Sequence, residues 1–203
     1  VNALSSRFEK VEQIYNGLGK ANLKTSVTRI AGEEAENQIP SIDEERVYNK
    51  NSANTDPLKK GNAYHKTMEL LDFSLPFEEA YKKVEQANID NFGLVQKDKI
   101  QKCYDKIKPL INDCKIYKEK SFIYNDGKQL VQGIIDLFLL KNDEVVIIDY
   151  KTTSLYSLAQ EKTILEYKLQ VGIYANAVEE IMAKKVTSVM LYSFEKDDFI
   201  LLN

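Results

Sequence analysis

Two aspartates and a lysine interrupt the most apolar part of this 203-residue chain. Asp136 lies in Gly133-Ile-Ile-Asp-Leu-Phe-Leu-Leu140 and Asp149 in Val145-Val-Ile-Ile-Asp-Tyr-Lys151, where further aliphatic side chains would be expected. The linking Lys141-Asn-Asp-Glu144 is a turn signal, and an even-length hairpin centred on Asn142-Asp143 sets Asp136 directly opposite Asp149. Opposed side chains have Cβ atoms about 4.5–5.5 Å apart, where like charges destabilise. A divalent cation removes that penalty by turning repulsion into shared coordination. Lys151, two residues beyond Asp149, projects from the same face. This group suits metal-dependent hydrolysis, in which the ion polarises a phosphoryl oxygen and lowers the pKa of a water. The lysine would position that water or offset developing charge. The plainer reading has Asp149 capping a turn and Asp136 paired with Lys151. A buried pair is costly to desolvate and gives little reason to interrupt two apolar strands.

The elements that must hold these groups follow from periodicity. Helical spacing is expected over Asn2–Asn22, ended by Gly17 and Gly19, and again over Gly61–Phe73, Pro76–Asn88, Lys97–Asn112 and Glu166–Lys184. Strand alternation is expected briefly over Lys24–Ala31, then over Ile116–Tyr124, the two hairpin strands, Val186–Phe194 and Phe199–Leu202. Gly32–Pro57 and Thr152–Thr163 are polar and read as loops. Along the first hairpin strand, alternation assigns Ile134, Phe138 and Leu140 to one face and Ile135, Leu137 and Leu139 to the other. A sheet apolar on both faces needs helices on both. The expectation is an α/β fold: a mixed sheet flanked by helices, with extra N-terminal helices. Residues 1–57 form an N-terminal helix and polar linker, and 58–203 form the core of a single domain.

Composition narrows the function. The net charge of −3 argues against a general polyanion binder. Two lysine clusters, Lys59/Lys60/Lys66 and Lys97/Lys99/Lys102/Lys106/Lys108, read first as solvated helix faces and second as local nucleic-acid contacts. With only Cys103 and Cys114, the chain has no four-cysteine zinc or iron–sulphur site, and this usage fits a reducing, cytoplasmic compartment. No apolar run is long enough to span a bilayer, so no membrane partner is expected. No GxxxxGK[ST] phosphate loop occurs, which excludes an ATP site of that kind.

Three further sites are ordinary alone. His65 is the only histidine, Glu119 sits on the strand before the hairpin, and Gln170 and Tyr174 are i and i+4 on the late helix. In order, Gly61…His65, Gly133-Ile-Ile-Asp136, Ile148-Asp-Tyr-Lys-Thr152 and Gln170-Val-Gly-Ile-Tyr174 resemble the RecB-like branch of the PD-(D/E)xK nucleases. The spacing is most similar to that of the carboxy-terminal nuclease domain of AddA helicase–nuclease subunits, and the likeness runs from about Thr25 to the end.

The resemblance implies a restriction-endonuclease-like core binding Mg²⁺ or Mn²⁺ through His65, Asp136, Asp149 and the carbonyl of Tyr150. It makes Lys151 the catalytic lysine, Gln170 and Tyr174 residues that shape the site and meet the DNA strand, and Glu119 a looser match to an upstream acid. It further implies a fragment of a larger helicase–nuclease that degrades single-stranded DNA exonucleolytically. That strand would come from attached ATP-dependent helicase domains, with an AddB-like partner subunit, during double-strand-break repair and recombination. Two other readings stay open: a non-catalytic module of the same fold that binds DNA or docks a partner, and a nuclease acting on RNA.

Overall fold

The structure, a computed structural model, describes residues 24–38, 57–152 and 160–201. The helix expected over Asn2–Asn22, residues 39–56 of the Gly32–Pro57 loop and residues 153–159 of the Thr152–Thr163 loop lie outside these residues. In order the elements are β1 (Lys24–Ser26), α1 (Val27–Gln38), α2 (Pro57–Leu70), α3 (Phe77–Gln86), α4 (Lys97–Ile107), β2 (Lys115–Asn125), β3 (Leu130–Lys141), β4 (Glu144–Lys151), α5 (Gln160–Met182), β5 (Lys185–Ser193) and β6 (Asp198–Leu201). Two short 3₁₀ turns flank α4. None of the described helices is long and apolar enough to cross a membrane.

Two expectations change at the N-terminal end. The strand expected over Lys24–Ala31 stops at Ser26, and the chain turns into α1. The Ser26 hydroxyl accepts the Arg29 amide at 3.3 Å, an N-cap contact. Val27, Ile30, Ala31 and Ala35 then form a buried helical stripe against α5. Eight residues are too few to separate period 2 from period 3.6. Pro57 is not loop punctuation but the first residue of α2, where its missing N–H would have lacked a helical partner anyway.

The sheet is mixed and six-stranded: β1 runs parallel to β3 and β4 to β5, and the other pairings are antiparallel. β2 follows β3 from Leu130 to Leu140 along one edge. The other edge is shared by β1 at Leu130–Gln132 and β4 at Leu137–Lys141. Between them the sheet forks, and residues 133–136 of β3 have no strand partner on that edge among the described residues. Helices cover both faces, as a doubly apolar sheet requires. One core joins α2, α3 and α4 to Leu137, Leu139, Ile148, Tyr150 and Tyr192; the other joins α1 and α5 to Val131, Ile135, Phe138, Ile147 and Leu191.

That division breaks the expected alternation in β3. Ile135 and Leu137 should share a face, yet Ile135 lies in the α5 core and Leu137 in the α2–α4 core. Ile134, expected to be buried beside Phe138, is 51% exposed. The strand changes phase at Asp136. β2 changes phase in the same row, with Tyr117 on the α5 side before Glu119 and Phe122 and Tyr124 there after it. Ladder pairs Lys118↔Leu137 and Lys120↔Ile135 flank a Glu119 and an Asp136 that do not pair. Glu119 takes φ +44°, a left-handed conformation costing a non-glycine residue about 1–3 kcal/mol. Three residues before Asp136, a Cβ at Gly133 would lie 2.7 Å from the Phe122 ring and 2.8 Å from Val27, so glycine lets α1 approach the fork.

Candidate active site

The hairpin register is the one expected. Pairs from Lys141↔Glu144 to Leu137↔Ile148 keep one constant sum, and the next pair in that series is Asp136 with Asp149. The ladder ends one step short because a side chain takes over: Asp136 Oδ2 accepts the Tyr150 amide at 2.7 Å. On the β2 side, the same extrapolation puts Glu119 opposite Asp136. Three acidic residues therefore occupy one row across β2, β3 and β4, and regular pairing fails along that row.

Helix α2 brings His65 to it. His65 Nδ1 lies 3.3 Å from Asp136 Oδ1 and 3.9 Å from Glu119 Oε1. Ligand atoms of His65, Glu119 and Asp136 all fall within 4.8 Å of one another, a spacing that one ion can bridge. Burial opposes an imidazolium here, but hydrogen bonds to Asp136 and Glu119 outweigh it and raise the His65 pKa to about 10. The helix approaches the β4 end closely enough that a Cβ at Gly61 would come within 3.4 Å of Thr152 Oγ1. A cleft of about 600 Å³, bordered by Gly61, His65, Lys66, Glu69, Glu119 and Thr152, opens onto the group.

Asp149 stands on the other side of Asp136, beneath α5. It is 2% exposed, and its Oδ2 lies 2.7 Å from Lys151 Nζ. The Lys151 ammonium is thus the charged partner of an enclosed carboxylate oxygen. Burial pushes the Asp149 carboxyl up, Lys151 offsets part of this, and Asp136 adds to it. Burial also works against the Lys151 ammonium, but Asp149 more than compensates and its pKa is raised. An enclosed oxygen with raised proton affinity beside a second carboxylate is a suitable donor for a hard cation. The pairing of Asp136 with Lys151 in the plainer reading does not occur; Lys151 turns to Asp149.

Helix α5 completes the site. Lys151 Nζ donates to Gln170 Oε1 at 3.3 Å, and Gln170 Nε2 donates to the Tyr174 hydroxyl at 2.7 Å. Burial, followed by Asp149, raises the Tyr174 pKa and keeps it a neutral phenol. Sequence reasoning misses Tyr167, whose ring centroid lies 4.6 Å from Lys151 Nζ. Helical spacing alone puts it in the apolar stripe of α5, but its position three residues before Gln170 and seven before Tyr174 places it on their helix face. Ile181, which falls in the same stripe by spacing, is 53% exposed.

The α4 lysines play no part in this cleft. Lys97 pairs with Glu78, Lys99 and Lys102 with Asp197, and Lys106 with Asp198. They fasten α4 to α3 and to the β5–β6 turn. Of the earlier cluster, Lys66 pairs with Glu69 at 2.7 Å, and Lys60 lies over the Tyr64 ring.

Known proteins are similar to this chain to different extents. The chain is 26% identical, over 96% of its length, to an ATP-dependent helicase/nuclease subunit of Clostridium acetobutylicum. It is 38% identical, over 43% of its length, to the protein of the same name from Clostridium kluyveri. It spans 18% of the first relative and the aligned part is 7% of the second, so both are far longer proteins. A crystal structure from Eubacterium rectale superposes with a TM-score of 0.46 at 11% identity, covering 75% of this chain and 60% of that one. The family model of the PD-(D/E)XK nuclease superfamily matches residues 41–199, which hold β2 to β5, the acidic row and Lys151. By that match the chain belongs to the PD-(D/E)XK nuclease superfamily.

Proposed function

We propose that this chain is a Mg²⁺- or Mn²⁺-dependent deoxyribonuclease domain that hydrolyses phosphodiester bonds in single-stranded DNA. The observation that carries the reading is the meeting of His65 from α2, Glu119 from β2 and Asp136 from β3, with the Asp149–Lys151 pair beside them. Asp136, Asp149, His65 and the Tyr150 carbonyl would hold the ion, with Glu119 within reach of the same position. When bound, the ion supplies Lewis-acid polarisation of a phosphoryl oxygen and a lowered pKa for an adjacent water.

The chain's own groups do the rest. Asp149 holds the Lys151 ammonium at 2.7 Å, and Gln170 and the Tyr167 ring limit its other positions. Lys151 thus keeps its proton and presents positive charge where charge develops on the phosphate. Gln170 and Tyr174 form a polar arm from α5 toward the strand being cut. The names of the clostridial relatives support a parent chain with helicase domains that feed single strands to this domain. Within that parent, the domain would act exonucleolytically in double-strand-break repair with an AddB-like partner.

The test is cleavage of labelled single-stranded DNA with Mg²⁺ or Mn²⁺, with a matched RNA alongside. Asp149→Ala and Lys151→Ala should each abolish cleavage while the fold persists by circular dichroism. Full activity in either variant would remove the assigned mechanism. An inert wild type that still binds DNA would favour the non-catalytic module.

A further inference from the structure

A half-buried lysine outside the acidic row ties its parts together. Lys118 sits on β2 immediately before Glu119 and turns toward the α2–α4 side of the sheet. Its ammonium donates to the carbonyl of Glu69 at 3.2 Å and also to that of Leu71. Glu69 is in the last turn of α2 and Leu71 follows directly after it, where the final C=O groups have no helical N–H to accept. The same ammonium lies 4.8 Å from the centroid of the Phe73 ring. Lys118 therefore closes the C-terminal end of the helix that carries His65, and its own main chain leads directly into Glu119.

The neighbouring backbone explains why this matters. Glu119 is the residue at φ +44°, where β2 changes phase and leaves its ladder partner. A strand residue is held in that conformation only when its surroundings over-determine it. On one side, Lys118 is anchored through its side chain to α2. On the other, Lys120 resumes the ladder opposite Ile135. The phase change falls between two fixed points, and the Glu119 carboxylate comes to lie 3.9 Å from His65 Nδ1.

We propose that Lys118 is a positioning residue for the site: its clamp on the end of α2 sets both the helix bearing His65 and the strand turn bearing Glu119, so that the two meet over Asp136. This rests on the reading of that group as a cation site. A second lysine that contacts the same segment after α2 separates positioning from plain stability. Lys108 makes an equivalent contact, donating to the Phe73 carbonyl with its ammonium 5.7 Å from the Tyr104 ring, but it adjoins no residue of the site.

The experiment is a calorimetric Mn²⁺ titration of the wild type, Lys118→Met, Lys118→Arg and Lys108→Met, together with cleavage at graded Mn²⁺. Lys118→Met should weaken Mn²⁺ binding about 10–100-fold, the range usual when the groups supporting a ligand are removed. Cleavage at saturating Mn²⁺ should stay within about twofold of wild type, because Lys118 touches no reacting atom. Lys118→Arg should recover most of the affinity, and Lys108→Met should lower Tm without moving it. Equal affinity in Lys118→Met and wild type, or equal losses in Lys118→Met and Lys108→Met, would overturn the proposal. A second readout needs no metal: a His65→Cys, Glu119→Cys double variant, its two thiols joined by a bifunctional crosslinker, with and without Lys118→Met. Crosslinking should fall when Lys118 is removed, and an unchanged yield counts against it. If the wild type takes up no Mn²⁺, the cation reading falls, and crosslinking alone decides the role of Lys118.

Discussion

Charged side chains meet in two places in this molecule, to opposite ends. At the β5–β6 turn, Lys99, Lys102 and Lys106 of α4 reach Asp197 and Asp198, with mostly half-exposed to exposed partners and cations enough to match the acids. At the fork, Glu119, Asp136 and Asp149 face one histidine and one lysine, and two of the three acids are buried. The first group uses charge to hold two elements together in water, where each pair is worth little. The second withdraws an unbalanced set of acids from water, a cost that a fold bears where a cation or a reaction uses them. Residue type does not separate the two groups; burial and stoichiometry do.

The sharpest way to break this contrast is to remove the second group's lysine. Lys151→Ala should reduce metal-dependent cleavage by about 10³-fold or more, in line with the loss of a group stabilising transition-state charge. Next is the shared carboxylate: Asp136→Asn should weaken Mn²⁺ binding about 100-fold by calorimetry and also loosen His65. Both effects should be absent from Asp197→Asn.

The pH response should differ as well. In the metal-free protein His65 has a pKa raised to about 10, so its ion pairs add stability that is complete below about 6.5 and lost as pH rises through 10. A cation bound to His65 displaces that proton, so Mn²⁺ affinity should rise about tenfold per pH unit between about pH 7 and 9. Calorimetry in buffers of different ionisation enthalpy should find one proton released. A flat profile would mean that His65 is neutral or not a ligand.

Smaller effects come from the frame. Gly133→Ala brings a methyl against the Phe122 ring, which Tyr124 and Tyr174 hold in place, and should cost about 1–3 kcal/mol in denaturant unfolding. Lys102→Met should leave both Tm and Mn²⁺ affinity unchanged within error. A large loss there would make the turn more than a surface clasp.

Much of the site was legible because a hairpin has simple arithmetic. Turn composition and period 2 set a constant pairing sum, and Asp136 and Asp149 fall on it. The phase change at Asp136 was not legible. Ile134, Ile135 and Leu137 are all aliphatic, so nothing in them says which face each takes, and the signal lies in the φ of Glu119 on another strand. The α1 helix was hidden by a short window in which Thr25, Val27 and Ile30 read equally as strand. Tyr167 was hidden by its apolar neighbours on α5. The missing information in each case was a relation between elements, which a local pattern does not carry.

The Tyr150 amide donates to Asp136 Oδ2 at 2.7 Å, where a regular strand would offer it a carbonyl. Its proton is thus bound to a carboxylate that a cation would engage. In a ¹⁵N-resolved spectrum this single amide should therefore shift and change its exchange rate with each event at Asp136. The protein carries, in its own main chain, a reporter of whether the site is filled.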